Sequence, residues 1–158
     1  MRKRIYIETS VISYLCSSPS KQLIVAGNQK ITKLWWENER RKYELFTSVL
    51  AIDEISAGNP VEAMKRKLAI KDLEIIQMTY EVDELAGQLI RGAKLPRSVD
   101  NDAVHIAIAT VYGMSYLLTW NCAHIANPHW QRKLGEIIRR SGYDMPVICT
   151  PQALSEGE

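Results

Sequence analysis

Short apolar runs alternate with amphipathic stretches along this chain, and that order constrains its fold more than any other feature. Residues 4–7 (RIYI), 43–47 (YELFT), 73–78 (LEIIQM), 116–119 (YLLT) and 147–149 (VIC) are brief and rich in β-branched, aromatic or other apolar side chains. Runs of that length bounded by turn residues read as buried strands. Helical spacing fills the intervals at about 9–15, 21–40, 49–57, 61–70, 81–93, 98–112 and 129–141. Thr9 and Ser10 offer side-chain oxygens to cap the first helix, and Leu23, Ile24, Ile31, Leu34 and Trp35 give the second its apolar positions. Gly58 with Pro60, Leu95 with Pro96, and Gly113 end three of the others. Strands that alternate with helices predict an α/β fold with a mostly parallel sheet and helices on both faces.

The bulk numbers suit such a fold. A chain of 158 residues fits one domain, residues 1–158, able to bury a core without disulfides or a structural metal. With 46% apolar and 24% charged residues, the composition argues against disorder. No apolar run approaches the roughly 18 residues of a membrane span. Met1-Arg2-Lys3-Arg4 is basic, but the apolar segment after it is too short and polar for a signal peptide. Cys16, Cys122 and Cys149 are odd in number and lack C-x-x-C spacing, which argues against zinc and for reduced thiols. A cytoplasmic protein with no membrane partner is therefore expected. The net charge of +2 names no partner, and the basic groups at 2–4, 40–42, 65–67 and 139–140 read first as solvated faces.

Ligands of open parallel sheets bind at the carboxyl ends of the strands. The first strand ends at Glu8 and the fourth at Asn121, Glu54 lies on the helix after the second strand, and Asp102 lies in the first turn of the helix before the fourth. Four oxygen-bearing side chains can thus converge on one edge. No glycine-rich phosphate loop, nucleotide-binding fingerprint or G-x-S-x-G elbow accompanies them. Carboxylates without a phosphate loop suit a hard divalent cation, Mg²⁺ or Mn²⁺.

These residues also stand in a recognisable pattern. "YIETS" places an acid, Glu8, and a Thr/Ser pair at the end of a strand; "TSVLAIDEISAG" places Glu54 four residues before a glycine; "NDAVHIAIAT" opens an alanine-rich helix with Asp102; "LLTWN" ends a strand at Asn121. Over nearly its whole length the chain resembles the PIN domain family, and within it the VapC-type toxin ribonucleases of toxin–antitoxin pairs. It departs from the family in having Glu8 where Asp is usual and Asn121 at an acid position. The resemblance implies a three-layer α/β/α sandwich, metal-dependent hydrolysis of RNA phosphodiesters, a cognate antitoxin that blocks the acidic site, and a homodimer.

On that reading Glu8 and Asp102 hold one principal ion. Glu54 holds it through water or orients the attacking water, and Asn121 positions a water or a second, weaker ion. Thr9 and Ser10 are read as helix caps before phosphate contacts. Asp100 is read as the cap of its helix, with a spare-ligand role open. His105, three residues beyond Asp102, is either a packed helical histidine or a partner behind the ligands, and His124 a structural or surface residue. Trp35 and Trp36 suggest core and one interface contact rather than a base-stacking platform. The alternative function is a metal-weakened PIN domain that binds RNA or protein without cleaving.

Overall fold

The computed structural model describes residues 1–156. Five strands and eight helices alternate in it: β1 (Lys3–Ile7), α1 (Thr9–Cys16), α2 (Leu23–Asn38), β2 (Tyr43–Ser48), α3 (Val49–Ile55), α4 (Pro60–Ala69), β3 (Glu74–Ile76), α5 (Tyr80–Gly92), α6 (Asp100–Val111), β4 (Tyr116–Leu118), α7 (Pro128–Arg140), β5 (Val147–Cys149) and α8 (Pro151–Glu156). All strand pairings are parallel, in the order β3-β2-β1-β4-β5. The expected α/β sheet with helices on both faces is the observed one.

Alternation along β1 divides the core. Ile5 and Ile7 join Val11, Ile12, Trp35 and Ile55 on one face, while Tyr6 joins Leu85, Leu89, Ile106 and Leu134 on the other. Helix α6 is buried from His105 to Thr110, which explains its alternating alanines: a helix packed between α5 and the sheet has no room for large side chains all round. The strand order reverses at β1, so the crevice between the carboxyl ends of β1 and β4 is the topological switch point. Glu8 N–H, donating to Leu118 O at 3.1 Å, joins β1 to β4 at its floor, and Thr119 N–H donates to Cys149 O of β5 at 3.0 Å beside it.

Several sequence expectations need correction. The cap of α1 is neither Thr9 nor Ser10 but Glu8, whose carboxylate accepts from Ser10 N–H. Asp100 is not a cap either: α6 starts on it after a 3₁₀ turn, Arg97–Val99, and the buried Val99 takes the cap position without a side-chain bond. Asp100 instead adds negative charge to the first turn, where the helix dipole favours it. Strand β3 spans Glu74–Ile76 rather than 73–78, because Thr79 caps α5 one residue before Tyr80. Helix α2 faces inward with Gln29, Thr32 and Trp35, leaving Leu23 and Ile24 exposed. Polar residues belong there because they hold neighbouring loops: Gln29 Oε1 accepts from Ser20 N–H at 2.8 Å and Thr32 Oγ1 from Trp120 Nε1–H at 2.7 Å. Trp35 is core, stacked on Tyr43, and Trp36 lies under Arg40. No helix among the described residues is long and apolar enough to cross a membrane.

The α6–β4 turn depends on Gly113, whose φ of +65° disfavours any residue with a Cβ. A Cβ there would meet only Arg4 Nη1, at 3.9 Å, so backbone strain is isolated from crowding. Gly113→Ala should lower unfolding free energy by about 1 kcal/mol. Urea denaturation should show an earlier midpoint with unchanged slope.

Candidate active site

Glu8, at the end of β1, is 5% exposed. Its Oε1 accepts from Ser10 Oγ and from Thr119 Oγ1 (2.6 Å), and its Oε2 from Ser10 N–H (3.1 Å). The two hydroxyls in turn accept backbone protons from the loop after β4: Ser10 Oγ from Trp120 N–H at 2.9 Å and Thr119 Oγ1 from Asn121 N–H at 3.0 Å. The extra methylene of a glutamate lets one carboxylate reach both α1 and β4. It also leaves its oxygens largely engaged with protein donors.

Glu54 points back from the last turn of α3 and is 30% exposed. Its Oε1 receives Thr9 Oγ1–H at 2.6 Å and His105 Nε2–H at 2.5 Å. Burial raises its carboxyl, but the bonds from His105, Thr9 and Asn101 outweigh it, and the net shift is downward. Asp102, in the first turn of α6, is shifted the opposite way: burial dominates and raises its carboxyl, the neighbouring His124 offsets part of this, and Glu8 adds repulsion.

Asn121 binds to Asp102. Its Oδ1 accepts from His124 N–H at 3.1 Å, and its Nδ2–H donates to Asp102 Oδ1 at 3.2 Å. The backbone N–H can only donate, so the amide orientation is forced, with NH₂ toward Asp102. An aspartate here would set two carboxylates against each other, which gives the amide a physical reason.

Glu8, Asp102 and Asn121 therefore meet at one edge, joined by a hydrogen-bonded loop and by the nearness of Glu8 to Asp102, and Glu54 is tied to that edge through Thr9 of α1 and His105 of α6. Thr9 and Ser10 meet there too, as partners of Glu54 and Glu8. Asp100 is joined to none of them by a hydrogen bond and stays a first-turn acid. His105 is 1% exposed and is both things weighed for it, packed in the core and bonded to Glu54. His124, read as structural or surface, is 42% exposed and stands beside Asp102. Its Nδ1 lies 3.1 Å from Asp102 Oδ2, and its ring stacks on Trp130. The Asn121-to-His124 spacing carries the signal, since the side chain of Asn121 takes the backbone N–H three residues on and so turns the chain back toward Asp102. Two basic groups lie elsewhere: Arg2, Lys3 and Lys42 line a cleft of about 940 Å³ with Tyr43 and Tyr116 at the other end of the strands.

Among the described residues no three His, Cys, Asp or Glu side chains form a ready-made cation cage. The donor chemistry nonetheless fits one weakly held hard ion. Asp102 and Glu54 offer carboxylate oxygens at a partly open edge, Asp102 carries a charge that burial disfavours, and Mg²⁺ commonly uses one or two carboxylates completed by water and phosphate. Glu8, with three donors already bound, has little capacity left.

The opposite shifts give a test in metal-free buffer. The folded Asp102 carboxyl titrates above its ordinary 3.8, so its charge costs stability as pH rises through that folded value. The folded Glu54 carboxyl titrates below its ordinary 4.5, so its charge contributes stability above 4.5 that is lost as pH falls through the folded value. At pH 7, Asp102→Asn should raise the thermal midpoint and Glu54→Gln should lower it. Both differences should shrink on acidification, the first as pH falls from the raised folded value of Asp102 to 3.8 and the second as pH falls from 4.5 to the depressed folded value of Glu54.

No protein-family model matches the sequence, and no curated protein matches it. Solved structures do. The fold is similar to a chain in the crystal structure of VapBC2 from Rickettsia felis bound to a DNA fragment from their promoter, with a TM-score of 0.57 over 93% of this chain and 98% of that one. Identity is 13%, so the likeness is one of fold: a five-stranded parallel sheet flanked by helices, consistent with a PIN-like architecture.

Proposed function

We propose that the chain is a divalent-cation-dependent endoribonuclease of the PIN type, the toxin of a toxin–antitoxin pair. The observation that carries this reading is the convergence of Glu8, Glu54, Asp102 and Asn121 at the switch point of a sheet whose fold is similar to a VapBC2 chain. The sequence pattern around the same four residues supports it independently. A cytoplasmic setting, an antitoxin that covers the acidic edge and a homodimer belong to the same proposal.

In this reading Asp102 and Glu54 hold Mg²⁺ or Mn²⁺, and Glu8 adds at most its remaining Oε2 capacity. When bound, such an ion neutralises charge on the attacked phosphodiester and lowers the pKa of water. The chain's own residues do the rest. Asn121 Nδ2–H fixes Asp102, His105 and Thr9 fix Glu54 as an ionised carboxylate able to orient or deprotonate water, and Glu8 locks the loop that carries Asn121. His124, half-exposed beside Asp102 and stacked on Trp130, is placed to meet the substrate.

One observation favours the second reading, a binding module that does not cleave: Glu8 is largely engaged by protein donors and no three-ligand cage exists among the described residues. Cleavage of a mixed single-stranded RNA pool with Mn²⁺, with EDTA as control, decides between them. Wild type should cleave, and Asp102→Asn should reduce the rate at least a hundredfold while remaining folded, because the change is nearly isosteric. Glu8→Asp should not gain activity. A shorter carboxylate cannot bind Ser10 and Thr119 together, and displacing a site by about 1 Å can cost roughly a hundredfold. RNA retained on a filter without metal-dependent cleavage would establish the binding module instead.

A further inference from the structure

Three polar side chains lie buried behind the acidic edge with no part in the fold's backbone bonding beyond one cap. Tyr6 and Ser48 are fully buried and His105 is 1% exposed. Burying hydroxyls and an imidazole in an apolar core is costly unless every donor and acceptor is matched. They are matched end to end: Ser48 Oγ lies 2.7 Å from Tyr6 Oη, Tyr6 Oη 2.6 Å from His105 Nδ1, and His105 Nε2 2.5 Å from Glu54 Oε1.

Both ends of this chain fix its direction. At the inner end Ser48 Oγ accepts from Ala51 N–H at 3.1 Å, as the cap of α3, so its own proton is free to be given away. At the outer end the Glu54 carboxylate only accepts, so Nε2 carries a proton. A neutral ring then accepts at Nδ1 from Tyr6 O–H, and Tyr6 Oη accepts from Ser48 O–H; every group is satisfied. A doubly protonated ring would reverse the inner bonds and leave the Ser48 proton without an acceptor among the bonds seen. The cap alone accounts for Ser48 but for neither Tyr6 nor His105.

We infer that Tyr6, acting through His105, is a positioning residue for Glu54: the Ser48–Tyr6–His105 chain holds the imidazole in its Nε2–H form, so that Glu54 Oε1 is permanently bound and the rest of the carboxylate is presented to the site in one orientation. This rests on the reading of Glu54 as a carboxylate that serves a cation or water. It adds that the fidelity of that carboxylate is set from two side chains away, inside the core. Partners at this remove typically change metal affinity or activity by about 10–100-fold.

The test reads the ring directly. Long-range ¹⁵N–¹H spectra of the metal-free full chain at neutral pH should show His105 neutral, protonated at Nε2 and bare at Nδ1. Tyr6→Phe removes only the hydroxyl, leaves Nδ1 without its donor and should shift and broaden the His105 ring signals as the ring loses its fixed orientation. With RNA and Mn²⁺ it should lower kcat about tenfold with KM little changed. His105→Gln, which keeps an amide donor near the Nε2 position, should retain more activity and Mn²⁺ affinity than His105→Phe. If Tyr6→Phe proves unfolded by circular dichroism, the wild-type tautomer and the Gln–Phe pair still decide. An Nδ1–H or doubly protonated ring in wild type overturns the inference, as does equal Mn²⁺ affinity in the Gln and Phe variants. A wild type that never cleaves overturns the nuclease reading instead, and leaves the ring spectra and Mn²⁺ affinities to judge the relay.

Discussion

Everything at the acidic edge hangs on one buried carboxylate. Glu8 stands where the strand order reverses, and its oxygens receive protons from Ser10 and Thr119, whose hydroxyls accept from the backbone of residues 120 and 121. Loss of a single bond to a buried carboxylate costs roughly 1.5–3 kcal/mol. The arrangement therefore persists only if α1, β1 and the loop after β4 keep their mutual positions. That loop then delivers Asn121 to Asp102. Rigidity at the switch point becomes orientation at the site.

The two remaining carboxylates are treated oppositely by the fold. Glu54 is made comfortable as an anion by His105 and Thr9, whereas Asp102 is left with a charge its burial disfavours. In the proposed reading a bound cation relieves that disfavoured charge. The residues at positions 8 and 121 fit together in this light. The long acid Glu8 is the structural tie, and the amide of Asn121 avoids a repulsion that a fourth carboxylate would create beside Asp102.

Much of this was legible in the residues. The sheet followed from apolar runs too short for helices, and the place of the site followed from the rule that parallel sheets bind at strand ends. What sequence could not carry was direction. Glu8 and Glu54 look alike as letters, yet one turns inward to three donors and the other outward, because only the folded chain brings Thr119 within reach of the first. The exposure of Leu23 and Ile24 was hidden for a similar reason: the inner face of α2 was claimed by polar Gln29 and Thr32, which hold the loop before α2 and the distant Trp120. Tyr6 read as a strand aromatic, and its hydroxyl gained meaning only once β1 lay beside His105.

The most direct measurement of the central claim is anomalous diffraction from crystals soaked in Mn²⁺. The account predicts one peak at the carboxyl ends of β1 and β4, within bonding distance of Asp102 and Glu54 and with Glu8 still bound to Thr119. A soaked crystal with no peak at that edge, or with Mn²⁺ held only by residues elsewhere, would contradict it.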